Sequence, residues 1–164
     1  MHLREIGSRE IDPHEIQSTL TSAVEEVLET MCFAAVLGSA EGVGPPGSDG
    51  ASAILAELSF KGCPSGGFSV IVPDKLARAL GAGFLGREEA EVSASQAGEV
   101  VCELANMICG SVLSRLESAA TFQISHPELA PPEHRKNFET ASANRWFDLG
   151  GGVLTVSLHL REAA

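Results

Sequence analysis

Between Ser93 and Ser118 no proline interrupts the chain, and Ser93-Ala-Ser-Gln96 has the spacing of a capping box, so one helix of about 24 residues is predicted there. It is the longest element the sequence predicts. At about 100° per residue, Val101, Leu104, Ala105, Ile108, Val112 and Leu116 gather on one face. A stripe of that length needs a wide apolar partner, and a sheet supplies one.

The flanking sequence supplies the sheet. Ile54, Ala56, Leu58 and Phe60 alternate on one side of a segment, Phe68, Val70 and Val72 on one side of the next, and the turn KGCPSGG between them fits a hairpin with Cys63 near its tip. Ala143 to Asp148 and Val153 to Leu160 form a second such pair around Gly150-Gly151-Gly152, with Leu154, Val156, Leu158 and Leu160 inward. No helix follows the triple glycine, so it reads as a turn and not as a phosphate cradle. Thr121 to Ser125 alternates with Phe122 and Ile124 on one side, the run Phe33 to Leu37 reads as a short strand, and HPELAPPEHRK reads as a polar loop.

Two more helices are predicted. Asp12-Pro13-His14-Glu15 is a helix start, followed by the stripe Ile16, Leu20, Val24, Val27, Leu28 and Met31. Pro73-Asp74 opens a shorter helix through Leu76, Ala79 and Leu80, which Gly81 and Gly83 should close. Regular βαβ alternation is missing. The predicted class is therefore α+β, a mostly antiparallel sheet packed against two long helices.

At 164 residues, with 44% hydrophobic and 20% charged, the chain is expected to be one domain, 1–164, with a flexible Gly/Pro-rich loop at 38–50. No apolar run approaches the roughly 18 residues of a membrane span, and MHLREIGSRE has no signal-peptide core, so the expectation is a cytoplasmic protein with no membrane partner. A formal charge of −11 argues against a phosphate-binding surface, and hence against nucleic acid. Cys32, Cys63, Cys102 and Cys109 lack C-x-x-C spacing and read as small apolar residues in a reducing compartment. His2, His14, His126, His134 and His159 show no ligand spacing and read as surface or structural residues, and no metal site is expected. Trp146 reads as a core or dimer-interface anchor.

Opposite its apolar stripe the long helix collects Glu99, Glu103, Asn106, Gly110 and Glu117, with Ser114 at the edge. Glu103 and Asn106, three residues apart and about 4.5 Å along the axis, can reach one small external target. Gly110 stands one turn further. A glycine inside a helix costs on the order of 1 kcal/mol relative to alanine, which a close approach by another backbone or loop would explain.

The stretch GEVVCELANMICGSVLSRL resembles the signature helix of the CheX and CheC class of chemotaxis phosphatases, which also includes FliY. In that class an E-x-x-N pair is followed four residues later by glycine, here Glu103-Leu-Ala-Asn106-Met-Ile-Cys-Gly110. The order of elements along the whole chain is similar too, and Pro127 is similar to a proline that family members keep. CheC-like and flagellar-switch relatives usually carry two such pairs. The first helix here has none, so the chain is more similar to the single-site CheX branch.

The resemblance implies dephosphorylation of the aspartyl phosphate of a CheY-type response regulator, in chemotaxis or two-component signalling. It implies Glu103 and Asn106 as the catalytic pair, with Glu99 and Gly110 as partner-contacting positions; Glu99 stands where the family often has Asp or Ser. It implies magnesium held by the regulator and not by this chain, and a homodimer. Asn106 would orient the attacking water, and Glu103 would pair with the lysine of the regulator's active site. Two other readings compete. One is a non-catalytic docking domain of the same fold, which would have no reason to keep both Glu103 and Asn106. The other is a redox sensor built on Cys102 and Cys109, which lie about 10.5 Å apart along one helix, too far for a disulfide.

Overall fold

The computed structural model describes residues 11–40, 52–62, 64–116, 121–131 and 143–161. Helix α1 spans Pro13–Cys32, α2 Asp74–Leu85 and α3 Ala94–Leu116; the strands are β1 Gly38–Ser39, β2 Ala53–Lys61, β3 Ser65–Pro73, β4 Gln123–Ile124, β5 Glu128–Ala130, β6 Ala143–Asp148 and β7 Val153–Arg161. All the strand pairings are antiparallel. The sheet runs β1-β6-β7-β3-β2-β4, with β5 also pairing with β2.

The capping box forms as its spacing predicts: Gln96 N–H donates to Ser93 Oγ at 3.1 Å, and Ser93 N–H donates to Gln96 Oε1 at 3.0 Å. In α1, Asp12 Oδ1 accepts from His14 N–H at 2.9 Å and satisfies a donor that the first helical turn leaves open. Val101, Leu104, Ala105, Ile108 and Val112 are all fully buried against the inner face of the sheet, where Ala56, Phe68, Val70, Val156 and Leu158 line up across neighbouring strands. By length and composition α3 could also cross a membrane, with mean hydropathy 1.2, but 56% of that window is buried inside the protein.

Arg145 lies on the inner face of β6. Its Nε donates to Thr21 Oγ1 at 3.1 Å and a terminal nitrogen donates to Gln17 Oε1 at 3.3 Å, tying α1 to the sheet. On the opposite face Leu55 and Ile71 form a second, smaller apolar cluster against which Trp146 packs, so the tryptophan serves that cluster and not the main core. The hydroxyls of Thr155 and Ser157 on this face are buried.

Three expectations are corrected. Phe33 to Leu37 is not a strand. Helix α1 runs to Cys32, and Phe33 caps it in the left-handed region (φ 54°), with Ala34 N–H reaching back to Leu28 O at 3.1 Å. Phe33 and Leu37 are exposed while Ala34 and Val36 are half-buried against the core, and after Leu37 N–H donates to Asp148 O at 2.8 Å the ladder with β6 begins at Gly38–Ser39, inside the expected loop. The rest of that loop, 41–50, lies outside the described residues, as do Cys63, Glu117, His2 and His134. The HPELAPPEHRK segment is not all loop, because Glu128–Ala130 forms β5.

Helix α2 does not stop at Gly81 or Gly83. It continues to Leu85 and is closed by Gly86, whose φ is 65°. Gly83 is a packing residue: a Cβ there would lie 2.1 Å from Cys32 O, so its missing side chain lets α2 sit on the end of α1. Gly83→Ala gains about 1 kcal/mol of helix propensity but forces two backbones apart, a change of the overpacking kind that costs about 1–3 kcal/mol. The expected outcome is a lower melting temperature than wild type in thermal denaturation followed by circular dichroism.

Candidate functional site

The core fixes the rotation of α3 about its axis and so decides which residues face out. Glu99, Glu103 and Asn106 are exposed, on the side opposite the buried stripe, and Gly110 is half-buried. Glu103 and Asn106 lie on adjacent turns within one sector, so the helix brings the predicted pair together on an open surface. Ser114 is exposed further along the same helix.

Gly110 is not explained by packing among the described residues. The nearest atom that a Cβ there would meet is Ile124 Cδ1 at 3.9 Å, an ordinary contact. Gly98 differs, because a Cβ there would come within 2.9 Å of Leu129 Cδ1. The glycine at 98 lets β5 lie close against α3.

That approach is held in place by β4 and β2. Phe60 pairs with Ile124, Ser125 N–H donates to Ser59 O at 2.8 Å, and Ser59 N–H donates to Ser125 Oγ at 2.9 Å. The Phe122 ring meets Phe60 edge-on, with centroids 6.2 Å apart. The chain is then carried past Glu99 and Glu103, and a cavity of about 400 Å³ opens between them, His126, Pro127 and Leu129. Residue-by-residue reading of the sequence missed this cavity, because its walls lie far apart in the chain. Pro127 was the only wall residue outside α3 to carry a signal.

Cys102 lines the same cavity, and its thiol is pushed above the ordinary range by burial first and then by the charges of Glu103 and Glu99. A thiol kept protonated is a poor nucleophile and a poor redox sensor. Cys109, on the core side of the helix, is fully buried and pushed up to about 12 by that burial, and Cys32 to about 11. These positions fit the apolar reading of the cysteines. Among the described residues no group of three or more His, Cys, Asp or Glu side chains is placed to hold a metal ion.

Chemically, the face presents one carboxylate and one carboxamide on a helix that cannot rotate, beside a second carboxylate and a hollow. It can orient a water through an amide oxygen and can pair with a cation. It has no strong base and no preformed phosphate cradle.

Solved structures share this fold. Among solved structures the chain is similar to the chemotaxis protein CheX of Vibrio vulnificus, with TM-score 0.69 and 16% identity over 93% of this chain and 100% of that one. It is similar to a chain of the CheX–CheY–BeF3–Mg complex of Borrelia burgdorferi, with TM-score 0.68 and 19% identity over 93% and 100%. It is also similar to CheX of Desulfovibrio desulfuricans, with TM-score 0.65 and 21% identity over 90% and 99%. No curated protein matches the chain. The family model for the chemotaxis phosphatase CheX matches residues 54–145, a stretch that runs from β2 through α3 into β6. The chain belongs to the CheX family.

Proposed function

We propose that this protein hydrolyses the aspartyl phosphate of a CheY-type response regulator. The observation that carries the reading is the exposure of Glu103 and Asn106 together on one face of a helix whose other face is core. The CheX–CheY complex of the Borrelia relative supports the choice of partner.

An acyl phosphate has a good leaving group and reacts through a loose transition state, so the main requirement is a water held in line with the scissile bond. Asn106 accepts a hydrogen bond from that water through its amide oxygen and fixes its position, which replaces positional entropy with geometry. Glu103 pairs with the lysine of the regulator's active site and orients the two proteins. Glu99 and Gly110 contact the partner on either side of the pair. Magnesium would come with the regulator, held by that protein's carboxylates, and would offset charge on the phosphoryl group. The reading takes residues 1–164 as one domain and the protein as a cytoplasmic homodimer, whose mass light scattering checks.

Three outcomes are expected with a receiver domain phosphorylated on aspartate from a small phosphodonor. Asn106→Ala abolishes accelerated dephosphorylation while the melting temperature stays within a degree or two of wild type, because an exposed side chain leaves no cavity behind. Retained turnover would overturn the proposal, and binding without turnover in the wild type would favour the docking-domain reading. Glu103→Ala weakens the complex by about tenfold, and added salt weakens the wild-type complex more than the variant, since only the former has the ion pair to screen.

Gly110→Ala separates docking from solvation. With nothing nearer than Ile124 Cδ1 at 3.9 Å, the added methyl fits and raises helix stability by up to about 1 kcal/mol. Against a docked partner it holds the helix away and displaces the Asn106 amide, and a misplacement of about 1 Å costs roughly 100-fold in rate. A melting curve beside a single-turnover assay should show a more heat-stable and less active protein.

A further inference from the structure

The cavity beside Glu103 has walls of two kinds. Phe84 and Leu85 from the end of α2, with Leu129 of β5, make an apolar side; Glu99 and Glu103, one helical turn apart on α3, make an acidic one, with Gln96 at the N-terminal end. No lysine or arginine lines it among the described residues, and His126 is its one basic side chain. Leu129 is 55% exposed and Leu85 38%, so this side keeps large apolar groups in water next to two carboxylates.

A volume of about 400 Å³ is about 9 Å across as a sphere, narrower than the 10–12 Å of a helix with its side chains, so what enters is side chains and not a whole element. Their chemistry follows from the walls. An acidic side chain would be repelled by both carboxylates. An apolar one would cover the leucines but strip water from Glu99 without giving it a partner. A long basic side chain meets both demands, with its methylene stem against Phe84, Leu85 and Leu129 and its charge at the carboxylates. Arginine suits best, because its flat guanidinium can stack on the Phe84 ring while its fork donates to a carboxylate.

We propose that this cavity takes an arginine or lysine side chain of the response regulator, distinct from the lysine that pairs with Glu103, and that it selects which regulator the protein serves. The proposal rests on the phosphatase reading for the identity of the partner. Glu103 lines both the reactive face and the cavity, so a protein docked on the first lies over the second. With Glu103 committed to the active-site lysine, Glu99 is the carboxylate left for the second cation. Regulators with a basic residue about one helical turn, or 5.4 Å, from that lysine are favoured, and those with an acidic residue there are rejected.

The test measures binding of a receiver domain held in its active form by beryllofluoride and magnesium. Glu99→Gln should raise Kd about tenfold, the scale of one charge-assisted hydrogen bond, and Glu99→Lys further. Alanine substitution of each basic residue around the receiver's phosphorylation site should then reveal one whose loss weakens wild type but not Glu99→Gln. Wild-type affinity in Glu99→Gln, or coupling of Glu99 to no basic residue of the receiver, overturns the proposal. Asn106→Ala in the same series keeps the two readings apart. Loss of its turnover with binding intact upholds the phosphatase reading whatever Glu99 shows. Normal turnover in Asn106→Ala removes that reading, and the Kd of Glu99→Gln still decides whether the cavity binds the receiver.

Discussion

Burial of one face of α3 against the sheet is the interaction on which the rest of the molecule depends. Val101, Leu104, Ile108 and Val112 have no exposed surface, and each such side chain contributes about 1.5–3 kcal/mol by leaving water. A rotation of the helix by half a turn would drive Glu103 into the core and bring Leu104 and Ile108 out. An unpaired buried carboxylate costs several kcal/mol, so the core determines where the Glu103–Asn106 face points. The same helix supplies both the stability and the candidate site, which therefore sits on a rigid support.

The other elements adjust to that helix by omission of side chains. Gly83 lets α2 close on the last turn of α1, and Gly98 admits Leu129 against α3. The second contact brings the short β5 beside Glu99 and Glu103 and so creates the hollow. The placement of β5 rests on its own pairing with β2, where Ala56 stands opposite Leu129, and on the preceding β4, which is fixed to β2 by the Ser59 and Ser125 hydrogen bonds and by the Phe60–Phe122 ring contact. A few interactions at the sheet edge thus shape the ground next to the Glu103–Asn106 pair.

Periodicity and caps made much of this readable in advance. Both long helices start where Asp12 and Ser93 announce, because capping is a local hydrogen-bond choice written in adjacent residues. The alternating segments of β2, β3, β6 and β7 pair as their patterns require, and the E-x-x-N spacing placed Glu103 and Asn106 on the outer face. The failures share a cause. Gly81 and Gly83 look like a helix end, but glycine serves equally to stop a helix and to admit a neighbour, and only the position of Cys32 decides between them. Phe33 to Leu37 has the apolar content of a strand, yet the left-handed cap of α1 keeps it off the ladder until Gly38, with Ala34 and Val36 on the core and Phe33 and Leu37 exposed. Strand β5 has almost no pattern at three residues, and the cavity was invisible because α2, α3 and the 126–129 segment meet only in three dimensions.

An acidic protein with a carboxylate at its reactive face is a poor receptor for a phosphoryl group, and this constrains the proposed chemistry. Free phosphate and small phosphoesters are repelled by Glu99 and Glu103, so the face gains nothing by meeting them alone. A phosphorylated receiver changes the balance, because its own lysine and magnesium neutralise the phosphoryl charge and give Glu103 a cation to pair with. The catalytic centre in this reading is composite: the partner supplies the electrophile, the metal and the positive charge, and this chain supplies a positioned amide and a carboxylate that recognises the partner. Selectivity then needs no pocket for the phosphate itself. It arises from the requirement that the whole assembly be present before Asn106 has a water to orient.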